Sequence, residues 1–278
     1  MKVLIAMGLL TWLFGHAASA ESGGFRSTLE LREAVMEAMK VDPAIRQVRP
    51  VDNSDTSIEN RVGDNTVVTD VGNLFDYLKT YPHEDPKTWI ERLIQSSIEL
   101  NSFDVSAERL VPLIRTSGYV AETGMDIPRE NVVGDLELSY AFEHSSGYAN
   151  AGRDELATLK LASVRSTAID NLARMLPHLL IEDDGGPLVL YSIDERFGLS
   201  PSLILLDAFW AQVAKRFPKG SIFIVPRRDQ LFLIDKRDPG GMDYARRLID
   251  ATFKDDFALQ SRGIFERNGG ELVLIEYH

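Results

Sequence analysis

Cysteine is absent from all 278 residues. That single absence removes thiol nucleophiles, cysteine-ligated metals and disulfides together, so stability must come from an ordinary core. Histidine is scarce, with five copies. His83, His144, His178 and His278 have no second histidine at helical ligand spacing, and a zinc site needs three or four ligands. No metal site is expected. Neither G-x-x-x-x-G-K-[ST] nor G-x-G-x-x-G occurs, so no phosphate-cradling loop is indicated and no cofactor is expected. Asp52-Asn53-Ser54-Asp55 has the composition of a calcium loop without its spacing or closing glutamate, and reads as turn chemistry. Basic residues are outnumbered, 30 Lys and Arg against 42 Asp and Glu, for a formal charge of −12. That balance excludes nucleic acid and anionic lipid surfaces as natural partners.

What is present begins with an address. Met1-Lys2 is a minimal positive start, Val3 to Phe14 is apolar apart from Gly8 and Thr11, and Ala18 and Ala20 form the small-residue pattern that signal peptidase reads. The run is too short for a membrane anchor. A Sec-type leader cleaved after Ala20 is therefore expected, with no transmembrane segment after cleavage and a periplasmic or secreted product. Its removal takes one lysine and no acid, which moves the charge to −13.

The rest of the chain reads as α+β, with antiparallel sheets built from repeated helix–strand–strand units. Residues 21–105 form an N-terminal α+β region and 106–278 a second α+β domain, with the polar stretch Asn101–Ser106 at the junction. In the first region, Thr28–Lys40 has helical spacing, Ala44–Arg49 is extended, and Ile58–Thr69 is a strand with a turn or bulge at Gly63-Asp64-Asn65. Asp85-Pro86 caps a further helix. From residue 88 onward the order helix, strand, strand recurs four times. Leu110–Arg115 and Asp135–Phe142 are strands, and Phe142–Arg153 is loop-like. Ser200-Pro201 opens a helix with the stripe Leu203, Leu206, Trp210, Val213 and Phe217. Gly185-Gly186-Pro187-Leu188-Val189-Leu190 and Gly269-Gly270-Glu271-Leu272-Val273-Leu274 share local wording, which is common turn chemistry before a strand. Asn268-Gly269 joins the last hairpin.

The most apolar hairpin of the mature chain is Ser221–Asp235. Ile222–Val225 and Leu231–Ile234 are apolar on both pleat faces, which predicts a central strand pair covered on both sides. Its tip, Arg227-Arg228-Asp229-Gln230, is the first candidate ligand-binding site, because arginine offers a planar fork of donors to carboxylate or phosphate. Asp194, ahead of the Ser200 helix, and Arg115, at the end of an early strand, are candidates to join it. The bland reading of Arg115, Asp194, Arg227, Arg228 and Asp229 is solvated turn charge, each ion pair worth roughly 0–1 kcal/mol. Between the two lies a structural polar network crossing the sheet. His144-Ser145-Ser146 places a base beside hydroxyls but lacks a nucleophile elbow, and Ser200 before Pro201 is explained by helix capping.

Leu110-Val-Pro-Leu-Ile-Arg115, Ala168-Ile-Asp-Asn171-Leu172, Phe223-Ile-Val-Pro-Arg-Arg-Asp229, Tyr191-Ser-Ile-Asp194, Ser202-Leu-Ile-Leu-Leu206 and Trp210 together resemble a bacterial family, domain of unknown function 1444, with its uncharacterised YtpQ-like members. The resemblance spans about residues 108–278 and implies no activity, cofactor or catalytic residue. Two departures stand out: an export leader, where many relatives look cytoplasmic, and the arginine pair 227–228. The expected function is a non-enzymatic binding or interaction protein of the cell envelope, taking a protein or small-molecule ligand. The competing reading is a hydrolase using Asp229 or His144 with partners distant in sequence.

Overall fold

The computed structural model describes residues 3–6, 24–101, 105–118, 126–144, 147–183, 185–186, 188–193, 197–254 and 259–278. It is an α+β protein with mainly antiparallel sheets. The chain forms two compact units, 1–104 with 143–149, and 105–142 with 150–278.

In the first unit, α1 (Thr28–Val41) starts at Ser27, whose hydroxyl accepts from the Glu30 amide at 3.2 Å. Glu30 in turn accepts from the Arg26 amide, so two otherwise orphaned donors are satisfied. Leu31, Val35 and Met39 recur at helical spacing and are fully buried. The sheet is ordered β1-β4-β3-β2, with β1 Val3–Ala6, β2 Ile45–Pro50, β3 Ser57–Val62 and β4 Asn65–Asp70. The expected 58–69 strand is thus two strands, reversed at Gly63-Asp64, where Gly63 takes φ +58. Residues 3–6, inside the expected leader, pair in parallel with β4.

Two helices complete this unit, α2 (Gly72–Thr80) and α3 (Pro86–Asn101). Asp85 caps α3 by accepting from the Lys87 amide at 3.1 Å and the Thr88 hydroxyl at 3.0 Å. Trp89, Leu93 and Ile94 of α3 are buried. A buried polar chain ties that helix to the sheet: Asn60 donates to Thr69 at 3.1 Å, and the Thr69 and Ser97 hydroxyls meet at 2.9 Å. Each of those hydroxyls would be costly to bury alone.

The second unit holds two sheets. One pairs β5 (Leu110–Thr116) with β7 (Leu136–His144) and β7 with β6 (Glu130–Val133). The stretch beyond Phe142 differs from expectation, since β7 runs on to His144 and β8 (Gly147–Asn150) follows, with residues 143–149 grouped in the first unit. The other sheet has the order β14-β13-β11-β12-β10-β9. Its central strands, β11 (Ser221–Ile224) and β12 (Leu231–Asp235), are buried on both faces, as the two-sided apolar pattern predicts. Flanking them are β9 (Leu179–Asp183), β10 (Leu188–Ile193), β13 (Gly263–Asn268) and β14 (Glu271–Tyr277). The intervening helices are α4 (Arg153–Thr158), α5 (Val164–Ala173), α6 (Asp207–Arg216) and α7 (Gly241–Thr252).

An aromatic ladder fills one face of the six-stranded sheet. Phe223 stacks on Phe265 at 5.2 Å, Trp210 of α6 tilts against Phe223 at 5.6 Å, and Phe209 meets Tyr191 edge-on at 5.3 Å. The helix expected from Ser200 is two pieces. Residues Phe197–Leu205 form a 3-10 helix, Leu206 is extended at φ −101 and ψ 118, and α6 begins at Asp207. Ser200 lies inside the first piece and is fully buried, so it is not the N-cap the sequence implied. The backbone bonds at the break are local, from the Leu206 amide to the Leu203 carbonyl and from the Trp210 amide to the Leu206 carbonyl. Trp210 Nε1 adds a bond to the Ile204 carbonyl at 2.8 Å, and Ser202 Oγ accepts from the Ile114 amide at 3.1 Å.

Gly263 shows how tightly this core is packed. A Cβ there would lie 2.2 Å from Phe265 Cζ, with two more ring carbons closer than 3.0 Å. Gly263→Ala should therefore lower unfolding free energy by roughly 3 kcal/mol. Urea denaturation measures it, and a change under ~0.5 kcal/mol would contradict this packing.

Candidate functional site

Four of the five candidate residues converge, two of them buried. Arg115, next to last in the apolar strand β5, is wholly buried; Arg227, at the turn after β11, is 8% exposed. Arg228 and Asp229 are half-buried in the same turn, closed by the Gln230 amide on the Arg227 carbonyl at 3.2 Å. All three guanidinium groups act electrostatically on the Asp229 carboxylate. Asp194, the fifth candidate, lies outside the described residues. Solvated turn charge therefore does not describe Arg115 or Arg227. The polar network across the sheet does.

The neighbours come from far along the chain. Arg115 Nη1 donates to the Ile114 carbonyl at 2.7 Å and to the Gly198 carbonyl at 3.5 Å. Gln260 Nε2 donates to the same Ile114 carbonyl at 2.9 Å. The segment 259–261 runs beside the hairpin: Arg227 bridges to Leu259, the Gln260 amide donates to the Pro226 carbonyl, and the Ser261 amide to the Val225 carbonyl. Pro226 cannot offer an N–H, but its carbonyl still extends the ladder. Ser261 Oγ donates to Asp135 at 2.6 Å and accepts from the Gly263 amide at 2.9 Å.

Asp135, Ser202, Gln260 and Ser261 were not singled out from sequence. Asp135 follows a glycine and Ser202 a proline, where short polar residues are ordinary, and Gln260 and Ser261 lie in a stretch with no motif; only three-dimensional proximity marks them.

Two carboxylates in this network are held away from their ordinary state. Burial pushes Asp229 up, against the pull of its own amide and of Arg227, Arg228 and Arg115. Asp229 keeps some residue exposure, but its Oδ1 is shielded and has no hydrogen-bond donor among the described residues, which agrees with a raised value. Burial likewise raises Asp135, while the Ser261 hydroxyl pulls it back. Chemically, the arrangement can hold a proton and brace two sheets.

The remaining candidates resolve locally. His83 is exposed, Glu84 accepts from Trp89 Nε1 at 3.0 Å, and Asp85 is a helix cap. Ser54 accepts from the Thr56 and Ser57 amides, so Asp52–Asp55 is a turn. His144 Nδ1 lies 4.0 Å from Glu99, while Ser145 and Ser146 fall outside the described residues. Among the described residues no group of three or more His, Asp or Glu could hold a metal. Among them, too, no helix is long and apolar enough to cross a membrane.

With that geometry in hand, the chain can be set beside known proteins. It resembles an uncharacterised protein. A UPF0354 protein of Geobacillus thermodenitrificans (strain NG80-2) is 24% identical over 168 residues, which is 59% of this chain and 63% of that protein. The chain thus spans less than two thirds of that relative's length. No family model matches the chain, and no solved structure does.

The raised carboxylates give a pH prediction. A group whose folded pKa lies above its unfolded value stabilises fully below the unfolded value, about 3.9 for Asp, and loses that contribution as pH rises through the folded one. Wild-type stability should therefore fall with rising pH more steeply than that of Asp135→Asn/Asp229→Asn, above about pH 4. Urea titrations at a series of pH values measure the two slopes. Equal slopes would show that neither carboxylate is raised.

Proposed function

We propose that this chain is an exported, non-enzymatic binding protein of the cell envelope, and that it belongs with the domain of unknown function 1444 proteins. The observation that carries the binding reading is a groove of about 680 Å³ in the first unit, between α1 and α3. Ala38, Val41, Pro43, Pro86, Ile90 and Ile94 give it an apolar wall. Val41 is 82% exposed, an unusual position for a β-branched apolar side chain at the end of an otherwise well-capped helix. The groove also carries Asp42, Asp85 and Glu91 against Lys87. An apolar floor with an acidic rim suits a protein segment that presents apolar side chains flanked by lysine or arginine. The export reading rests on the leader pattern of residues 1–20.

Two measurements test this. A synthetic amphipathic Leu/Lys peptide should bind the mature protein saturably, and more weakly as salt is raised. Val41→Asn, which removes apolar surface without changing charge, should weaken it by about tenfold. A Leu/Glu peptide of the same length should not bind. Equal affinity of wild type and Val41→Asn would remove the groove from the account. For export, the intact mass of the protein recovered outside the cytoplasm should correspond to a chain beginning at Glu21; an uncleaved chain there, or retention in the cytoplasm, would overturn it.

A further inference from the structure

The second unit carries a cleft of about 520 Å³ beside α4 and α5 whose electrostatics run against the rest of the molecule. Its apolar wall includes Leu156 and Leu161, and Tyr140, 3% exposed, contributes the buried floor. Three cations line it, Arg153, Lys160 and Arg165, in a chain whose overall charge is −12. Glu130 is the one carboxylate in the lining, and both its oxygens are engaged. Tyr140 Oη donates to Oε1 at 2.6 Å and Arg165 Nη1 to Oε2 at 2.5 Å. Arg153 pairs through Nε with Asp126 at 3.1 Å.

Lys160 differs from its neighbours. Its backbone is left-handed, φ +48, in the turn that links α4 to α5. A lysine has neither the local hydrogen bond that lets asparagine adopt that conformation nor glycine's freedom from a Cβ. Its ammonium has no ion-pair or hydrogen-bond partner among the described residues. The turn thus holds a cation at the mouth of an apolar cleft without giving it an internal acceptor.

We propose that this cleft binds a small organic oxyanion, a phosphate monoester or carboxylate on a compact apolar body. The apolar part lies against Leu156 and Leu161, and the charged end is met by Lys160, with Arg165 and Arg153 beside it. The volume suits a ligand of that size, and charge-assisted donors around an apolar cleft are the usual construction of such sites. Glu130 has a positioning role, fixing Arg165 at the rim and closing off the Tyr140 hydroxyl. The site is independent of the α1–α3 groove, so either can fail without the other.

Phenyl phosphate is the probe, titrated into the mature protein by calorimetry and by NMR. It should bind saturably, shift the resonances of Leu156, Leu161 and Tyr140, and weaken as salt is raised. Inorganic phosphate, lacking the apolar body, and phenol, lacking the charge, should each bind more weakly. Lys160→Asn removes the cation while suiting the left-handed backbone, and should reduce affinity by about tenfold with folding intact. Arg153→Gln should reduce it as well. Absence of saturable binding, resonance shifts located elsewhere, or wild-type affinity in both variants would each overturn the proposal.

Discussion

A guanidinium cannot be taken out of water alone. Arg115 is fully enclosed near the end of an apolar strand, so the surroundings must supply acceptors and opposing charge. The Ile114 and Gly198 carbonyls receive it, which places the 3-10 helix Phe197–Leu205 against β5. Ser202 in the same helix returns the bond by accepting the Ile114 amide. The Ile114 carbonyl also receives Gln260, whose amide holds the Pro226 carbonyl beyond β11. One buried cation therefore sits where β5, the 3-10 helix and the central hairpin of the larger sheet meet. Apolar packing between those elements would tolerate small slides. Directional bonds at these positions admit one arrangement, which is the service a buried polar network can give in return for its desolvation.

Much of the architecture was legible from residue chemistry. Ile222–Val225 and Leu231–Ile234 are apolar on both pleat faces, and they occupy the middle of the six-stranded sheet. Asp85-Pro86 marks the start of α3, and Asn268-Gly269 the last reversal. Three features were not legible, each for its own reason. Short strands such as β6 and β8 have four residues each, too few for an alternation to rise above noise. The stripe Leu203–Phe217 looks like one helix because an apolar 3-10 turn and an α-helix can carry similar spacing, and the extended Leu206 between them keeps that spacing nearly intact. The enclosure of Arg227 depends on residues 259–261, which local pattern could not bring to the hairpin tip.

The same comparison separates what braces the molecule from what faces outward. The residues that looked most chemical in sequence, Arg115, Arg227 and Asp229, share one electrostatic network in the second unit. The concave surfaces are built from residues that look ordinary in sequence. Ala38, Val41 and Ile94 belong to an amphipathic helix pair, and Arg153, Lys160 and Arg165 to a pair of short helices with a polar turn. A guanidinium at a turn attracts attention in a one-dimensional reading, whereas a groove between two helices leaves no motif at all.

The six-stranded sheet ends in β9 and β14, and both ends are apolar and open. Leu180 and Ile181 are 38% and 48% exposed, and Val273, Ile275 and Tyr277 are 39%, 42% and 61% exposed. Neither strand contains a proline or a lysine, the residues that commonly blunt an exposed edge. What guards them is negative charge, locally from Glu182 and Asp183 in β9 and Glu271 and Glu276 in β14, and at longer range from copies that each carry a charge of −12. Dissolved salt screens such repulsion within about 8 Å at physiological strength while leaving backbone donors and acceptors untouched. The protection of these edges is thus a property of the medium as much as of the fold, because a guard made of charge weakens as salt is added while the edges themselves stay as they are.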